Sequence, residues 1–147
     1  RVDEYVKLGV SEGAEVIAGG GPANVGGCGY FYQPTVLAGV RNDMRVAQEE
    51  IFGPVLSVIP FEDESEVLAL ANDTQYGLAA GLWTQNVGKA HRVARAIKAG
   101  TVYINAYGVL DAAAPFGGYK MSGLGRENGE EGIAMYTEVK TVWTGLK

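Results

Sequence analysis

The sequence predicts an α/β protein with an open, mostly parallel sheet flanked by helices. Between residues 55 and 104, β-prone segments alternate with segments of helical periodicity, a pattern typical of βαβ units. The 147 residues are 47% hydrophobic and 20% charged, which is ordinary for a folded domain with a core. A long glycine-rich stretch follows the last strand of this alternating region, where parallel sheets usually bind ligands. Residues 105–126 are therefore the first candidate for a functional loop.

The N-terminal part is predicted to contain one helix followed by two strands. Apolar residues recur at helical spacing as far as Gly13, which favours a helix end. Residues 30–40 are rich in aromatic and β-branched side chains, which favours a strand. The predicted elements are a helix over 1–13, a strand over Glu15–Ala18, a loop over 19–29, a strand over 30–40 interrupted at Pro34, and a polar stretch over 42–52 that breaks at Gly53-Pro54.

The C-terminal part alternates strands and helices up to residue 104. Asn86 is a plausible N-cap for a helix whose inner face carries small and β-branched residues, and Gly100 suits its end. The predicted elements are a buried strand over 55–61, a helix over 62–72, a strand over 78–84, a helix over 87–99, a strand over Thr101–Ile104, the loop over 105–126, a helix over 127–136 and a strand over 138–144.

Charge and composition exclude several classes of function. The formal net charge is −5 and Lys and Arg are scattered, so neither a nucleic acid nor a membrane surface is predicted as a partner. There is no apolar run long enough to cross a bilayer and no signal segment. With one Cys, no intrachain disulfide can form, and a reducing, cytoplasmic compartment is expected. No metal site is predicted. The chain starts at Arg1 in mid-helical pattern, which suggests part of a longer protein.

The segment Glu49-Glu50-Ile51-Phe52-Gly53-Pro54 is the first candidate for a binding site. A carboxylate can accept two hydrogen bonds from a sugar diol, and a neighbouring aromatic ring can pack on a flat heterocycle. An acidic turn followed by a core Phe is the alternative, and the residues alone favour that alternative, because such hexapeptides are common.

The segment from Pro115 to Glu127, PFGGYKMSGLGRE, is the second candidate. Its glycines allow tight turns near a ligand, Phe116 could line a pocket, and Glu127 could stand in a proton path. The alternative is a surface loop followed by a helix that starts at Glu127. The order Gly123-x-Gly125 is similar to the opening of a dinucleotide fingerprint but fails it, because Asn128 replaces the third Gly and no strand directly precedes it.

In order and spacing, these two segments resemble signatures of the aldehyde dehydrogenase superfamily. Its EEIFGP motif matches residues 49–54, and its PFGGxKxSGxGRE motif matches residues 115–127. The resemblance covers essentially the whole chain, since YGL at 76–78, AGTVYIN at 99–105, YTEVKTV at 136–142 and GYFYQPTVL at 29–37 also match. It implies that residues 1–135 are the C-terminal part of the catalytic domain and that residues 136–147 form an oligomerisation strand.

The resemblance implies a role in cofactor binding for two residues of the first segment. Glu50 is expected to hold the ribose hydroxyls on the nicotinamide side, and Phe52 to pack near the nicotinamide ring. The implied cofactor is NAD, with NADP also possible.

On the substrate side, the resemblance places Phe116 on the wall of the aldehyde tunnel and Glu127 in the proton path to the deacylating water. The loop before Phe116 is expected to set substrate preference, and its candidates are Gly108, Val109 and Leu110. Lys120 is a further candidate for building this region. The complete motif with Glu127 favours the hydrolytic, acid-forming type over members that acylate coenzyme A.

The thiol nucleophile of the implied reaction is expected upstream of this chain. Cys28 does not match the catalytic cysteine motif of the family, and its glycine-rich surroundings offer no neighbour that would favour a thiolate. A structural or exposed role is expected for His91. The chain alone, which lacks the nucleophile of the aldehyde-oxidising thioester mechanism, is therefore predicted to be inactive. The final strand is expected to pair with another subunit in a homodimer or homotetramer.

Two alternatives from other classes remain. The chain could belong to a non-catalytic superfamily member with a structural or assembly role, although a scaffold has no need of Glu50, Phe52 and Glu127. It could also be a stand-alone module that binds nucleotide weakly. The upstream sequence would test the first alternative, and calorimetric titration with NAD would test the second.

Overall fold

The computed structural model describes residues 1–146 and confirms the α/β class, with two compact units along the chain. The first unit spans Arg1–Asp73 and the second begins at Thr74. Within the described residues, the strands form one three-stranded sheet and three two-stranded pairs. No helix in this range is long and apolar enough to cross a membrane.

The first unit is a three-stranded sheet covered by helices. Strand β4 pairs antiparallel with β1 and parallel with β5, and helix α2 lies in the crossover between β4 and β5. Gly13 ends α1 with a φ of 109°, a conformation that glycine adopts without strain. The elements are α1 Val2–Glu12, β1 Glu15–Ala18, β2 Pro22–Ala23, β3 Phe31–Tyr32, β4 Thr35–Ala38, α2 Arg45–Gln48, β5 Val55–Ser57 and α3 Glu64–Asn72.

The hydrophobic core of the first unit fixes the segment that follows α2. The largest fully buried side chains of the described residues are Leu37, Met44 and Val40, and all three lie in this unit. Ile51 joins the same cluster with only 8% of its surface exposed. Because Ile51 is the centre of residues 49–54, burial of its side chain ties that candidate segment to the core.

The second unit contains a parallel strand pair and a separate antiparallel pair. Strands β7 and β8 are parallel with α4 between them, as the alternating pattern predicts, and β6 pairs antiparallel with β9. Its buried apolar side chains are small: Ala90, Val93 and Ala99. The elements are β6 Tyr76–Gly77, β7 Ala79–Leu82, α4 Val87–Ala96, β8 Thr101–Ile104, β9 Tyr119–Lys120 and α5 Gly129–Ala134.

Several predicted elements differ from those observed. The strand predicted over 30–40 is divided at Pro34 into β3 and β4, and β3 pairs with β2 inside the predicted loop. Residues 42–52 contain the short helix α2. The strand predicted as buried over 55–61 ends at Ser57, and Leu56 is 60% exposed. It pairs with β4, so the βαβ unit predicted from 55 to 84 is replaced by one that runs from β4 to β5.

The C-terminal elements are shorter than predicted. The helix expected over 127–136 is confined to α5, because Asn128 has a φ of 60° that does not continue a helix. Residues 138–144 do not form a strand, and Val139 and Trp143 are 98% and 92% exposed. A strand needs a neighbour to accept and donate its backbone hydrogen bonds, and the described chain places none beside this segment.

The predicted N-cap of α4 is confirmed, since the Asn86 side chain accepts a hydrogen bond from the Lys89 N–H at 2.8 Å. We expect Asn86→Ala to lower the free energy of unfolding by about 1 kcal/mol, because one N–H of the first helical turn loses its acceptor. Urea denaturation of the chain measures this. Asn86→Asp keeps an acceptor and should stay near wild type; equal loss in both variants would contradict the capping role.

Candidate functional site

The first candidate region, in the first unit, is the segment of residues 49–54, which is held at both ends by backbone hydrogen bonds. The Glu49 N–H donates to the Arg45 carbonyl at 2.8 Å, and the Thr35 N–H donates to the Pro54 carbonyl at 2.8 Å. Ile51 is buried between these ends. The segment is therefore fixed between α2 and the start of β5.

Glu50 and Phe52 point away from the core on this fixed segment. Phe52 has a φ of 62°, in the left-handed region that an aromatic residue rarely adopts, and 81% of its surface is exposed. Glu50 is exposed as well, and both residues border an open groove of about 360 Å³. The alternative in which Phe52 is a core residue is therefore wrong.

Glu49, unlike its neighbour Glu50, is fully engaged with the protein. Its carboxylate accepts two hydrogen bonds from the Arg45 guanidinium at 2.7 and 2.9 Å and one from the Tyr5 hydroxyl at 2.6 Å. The Arg45 bonds, assisted by the Tyr5 bond, lower the pKa of Glu49 to about 2. Of the two adjacent glutamates, Glu49 has a structural partner and Glu50 is the one available to a ligand.

The second candidate region, in the second unit, is built around an antiparallel bridge between Phe116 and Glu127. Each residue donates its N–H to the carbonyl of the other at 2.7 Å, so the structure brings these two predicted residues together. Both border a cavity of about 850 Å³, with Phe116 half-buried and Glu127 exposed. Ile133, Met135 and Tyr136 add apolar surface to the same cavity.

Glycines allow close backbone packing beneath this cavity. A Cβ on Gly100 would lie 1.7 Å from the Gly117 carbonyl oxygen, and a Cβ on Gly118 would lie 2.4 Å from the Ser122 Cβ. Only glycine permits such an approach, so the loop that carries Phe116 rests directly on the start of β8.

Arg126 was not predicted as a site residue, yet it organises this loop. Its guanidinium donates to the carbonyls of Gly118 at 3.0 Å and Gly125 at 2.6 Å and lies 5.5 Å from the centre of the Tyr119 ring. In the sequence, this role is indicated only by one arginine in a glycine-rich stretch, where many backbone carbonyls need hydrogen-bond donors.

The remaining candidates on the substrate side lie outside the cavity lining. Val109 and Leu110 are 64% and 67% exposed, and Gly108 beside them is exposed too. The loop that contains them is held by the Tyr103 hydroxyl, which donates to the Val109 carbonyl at 3.0 Å. Lys120 donates its Nζ to the Thr74 carbonyl at 3.0 Å, which gives it a role in the loop structure.

Cys28 and His91 are both exposed, and neither lines the groove or the cavity. Among residues 1–146, the Cys28 thiol has no hydrogen-bonding or charged partner. The same residues contain no group of three or more His, Cys, Asp or Glu side chains that could hold a metal ion.

Fold and site together define an α/β protein that presents polar and aromatic side chains on loops next to its strands, an arrangement typical of ligand-binding enzymes. A family model for the aldehyde dehydrogenase family matches residues 1–142. The chain belongs to the aldehyde dehydrogenase family.

Individual relatives agree with this membership over nearly the whole chain. A betaine aldehyde dehydrogenase of Brucella anthropi is 51% identical, covering 99% of this chain and 30% of the relative. A mitochondrial member of aldehyde dehydrogenase family 2 from Arabidopsis thaliana is 51% identical, covering 99% and 27%. An NAD+ complex of an aldehyde dehydrogenase from Bacillus cereus is 53% identical with a TM-score of 0.93, covering 99% and 29%. The chain thus spans less than a third of each relative.

Proposed function

We propose that this chain is the C-terminal part of an NAD-dependent enzyme that oxidises an aldehyde to a carboxylic acid. The observation that carries the proposal is the joint exposure of Glu50 and Phe52 on one fixed segment, in a chain of the aldehyde dehydrogenase family. We assign residues 1–135 to the catalytic domain and residues 136–147 to a strand that joins another subunit. The gene product that contains this chain is called the complete enzyme below.

The first candidate region, residues 49–54, suits the nicotinamide half of a dinucleotide. The Glu50 carboxylate has no hydrogen-bond partner among residues 1–146 and can accept bonds from the two hydroxyls of a ribose. Phe52 offers an exposed ring on which a flat heterocycle can pack. When bound, NAD accepts the hydride that leaves the substrate carbon. The NAD+ complex of the Bacillus cereus relative supports NAD, and we assign the choice between NAD and NADP to residues outside this chain.

The second candidate region, around Phe116 and Glu127, suits the aldehyde and the water that releases the acid. We assign Phe116 to the wall of the substrate tunnel and Glu127, on the same cavity, to the acceptance of a proton from that water. The exposed residues Gly108, Val109 and Leu110 are assigned to substrate preference. The cysteine that forms the thioester is assigned to the part of the enzyme outside this chain.

Three further assignments accompany this proposal. The complete motif that ends at Glu127 favours hydrolysis over transfer to coenzyme A. Residues 137–146 are exposed and carry Val139, Val142 and Trp143, which supports pairing with a second subunit in a homodimer or homotetramer. A reducing compartment such as the cytoplasm fits the single, exposed Cys28.

In the complete enzyme, we expect Glu50→Gln to raise the KM for NAD roughly 10- to 100-fold, because a charged acceptor of ribose hydroxyl groups is lost. The KM for the aldehyde should change little. Steady-state kinetics with NAD varied at saturating aldehyde, together with calorimetric NAD binding, measures both. Glu15→Gln is a matched control, since Glu15 is an exposed glutamate on β1 outside the groove.

An unchanged KM for NAD in Glu50→Gln would contradict the assignment of this groove to the cofactor. A complete gene product that neither binds NAD nor oxidises aldehydes would favour the structural or assembly role instead. NAD binding by the chain of 147 residues alone would favour the stand-alone binding module.

A further inference from the structure

We propose that Tyr5, Arg45 and Glu49, called the Glu49 cluster, position the cofactor-facing residues Glu50 and Phe52. The three side chains come from α1, from α2 and from the segment that follows α2. Glu49 borders the groove, but its carboxylate is already hydrogen-bonded to Arg45 and Tyr5, so we assign the three as positioning residues. The proposal rests on the proposed cofactor role of Glu50 and Phe52.

The Glu49 cluster is a closed set of charge-assisted hydrogen bonds. Arg45 approaches both carboxylate oxygens of Glu49, with Nε at 2.7 Å from Oε1 and Nη2 at 2.9 Å from Oε2. The Tyr5 hydroxyl donates to Oε2 at 2.6 Å. A bidentate pair fixes the plane of the carboxylate as well as its distance, and the third bond fixes it against α1.

A second arginine extends this arrangement to the backbone of the segment. The Arg1 guanidinium donates to the carbonyl oxygens of Glu50 and Ile51, the latter at 3.3 Å. It also lies 5.2 Å from the centre of the Tyr5 ring, while the Arg45 guanidinium lies 5.8 Å from the same centre. Tyr5 therefore contacts both arginines and links the side chain of Glu49 to the backbone of its two successors.

The effect of the Glu49 cluster is expected on orientation more than on stability. The side chains of Arg45 and Glu49 are 55% and 36% exposed, so water screens the ion pair and its net contribution to folding is small. The cluster matters more for the orientation of Phe52, because this residue has a left-handed backbone that its surroundings must maintain. The three hydrogen bonds to the carboxylate of Glu49, three positions before Phe52, restrict how that backbone can relax.

The test uses the complete enzyme with the variants Glu49→Gln, Tyr5→Phe and Arg45→Met. We expect each to raise the KM and Kd for NAD roughly three- to tenfold, with kcat and the aldehyde KM within about twofold of wild type. Arg45→Lys should restore part of the loss. Tyr5→Phe combined with Glu49→Gln should raise the Kd by less than the product of the single effects, because Tyr5→Phe removes the bond that Glu49→Gln weakens.

Lys7→Met is the matched control, because Lys7 forms an exposed ion pair with Asp3 at 2.6 Å on the same helix, apart from the Glu49 cluster. It should leave the KM for NAD unchanged. If Glu49→Gln does not fold, Tyr5→Phe still tests the proposal, because it removes only one hydroxyl group.

Two outcomes would overturn the positioning role. If Glu50→Gln weakens NAD binding and the cluster variants do not, this inference is wrong and the proposed function stands. If the cluster variants lower Tm and change kcat and both KM values together, the cluster is only structural. An unchanged KM for NAD in Glu50→Gln as well would remove the proposed cofactor role itself.

Discussion

The chain of 147 residues alone is expected to form no NADH from NAD and an aldehyde. Thiol attack needs a thiolate with a neighbour that favours it, and Cys28, the single cysteine, is exposed with no hydrogen-bonding or charged partner among residues 1–146. Enzymes of this kind accelerate their reactions about a millionfold or more, so the loss relative to the complete enzyme should be of that order. The rate of NADH formation by the chain and by the complete enzyme is measured from the absorbance of NADH.

The control for this experiment is the Cys28→Ser chain, with circular dichroism to show that both chains are folded. NADH formation by the wild-type chain above the rate of Cys28→Ser would mean that Cys28 acts as the nucleophile, against the expectation. Equal rates at the level of buffer would confirm the prediction that the chain alone is inactive.

Gly100→Ala is expected to destabilise the chain by about 3 kcal/mol or more and to displace the loop that carries Phe116. The added Cβ would lie 1.7 Å from the Gly117 carbonyl oxygen and 3.4 Å from the Gly118 Cα. Both contacts are with backbone, so no side chain can rotate away and the loop itself must move. Urea denaturation measures the stability, and the kcat/KM for aldehydes in the complete enzyme should fall with it.

Gly88→Ala is the matched control, because its Cβ would meet only the Asn86 Oδ1 atom at an ordinary 3.4 Å. Gly88 lies in α4, where alanine is the better helix former, so this variant should be neutral or slightly more stable. Similar stability in the two variants would show that the loop adapts to a side chain at Gly100.

The parts of the fold predicted from the sequence are those with local signals. Helix α1 ends at Gly13 and helix α4 begins at Asn86, and in both cases one residue supplies the capping conformation or hydrogen bond. The two-residue strands β6 and β9 carry no such signal, because the pairing of Tyr76 with Lys120 joins residues far apart in sequence. The strand predicted over 138–144 needs a pairing partner that residues 1–146 do not provide.

The same distinction applies to the candidate site. The motifs identified Glu50, Phe52, Phe116 and Glu127, but a motif does not state which way a side chain points. The exposure of Phe52 follows from its backbone conformation together with the burial of Ile51. The contacts of Arg126 depend on how the glycine-rich loop folds back on itself, which no spacing in the sequence encodes.

The left-handed backbone of Phe52 has a consequence for the thermodynamics of binding. A residue held at a φ of 62° in the folded chain has already lost its backbone freedom before a ligand binds. A flat molecule that packs on its ring meets a preorganised surface, so little conformational entropy remains to be lost in the complex. Ordering of this residue during folding therefore lowers the entropic cost of a later binding step.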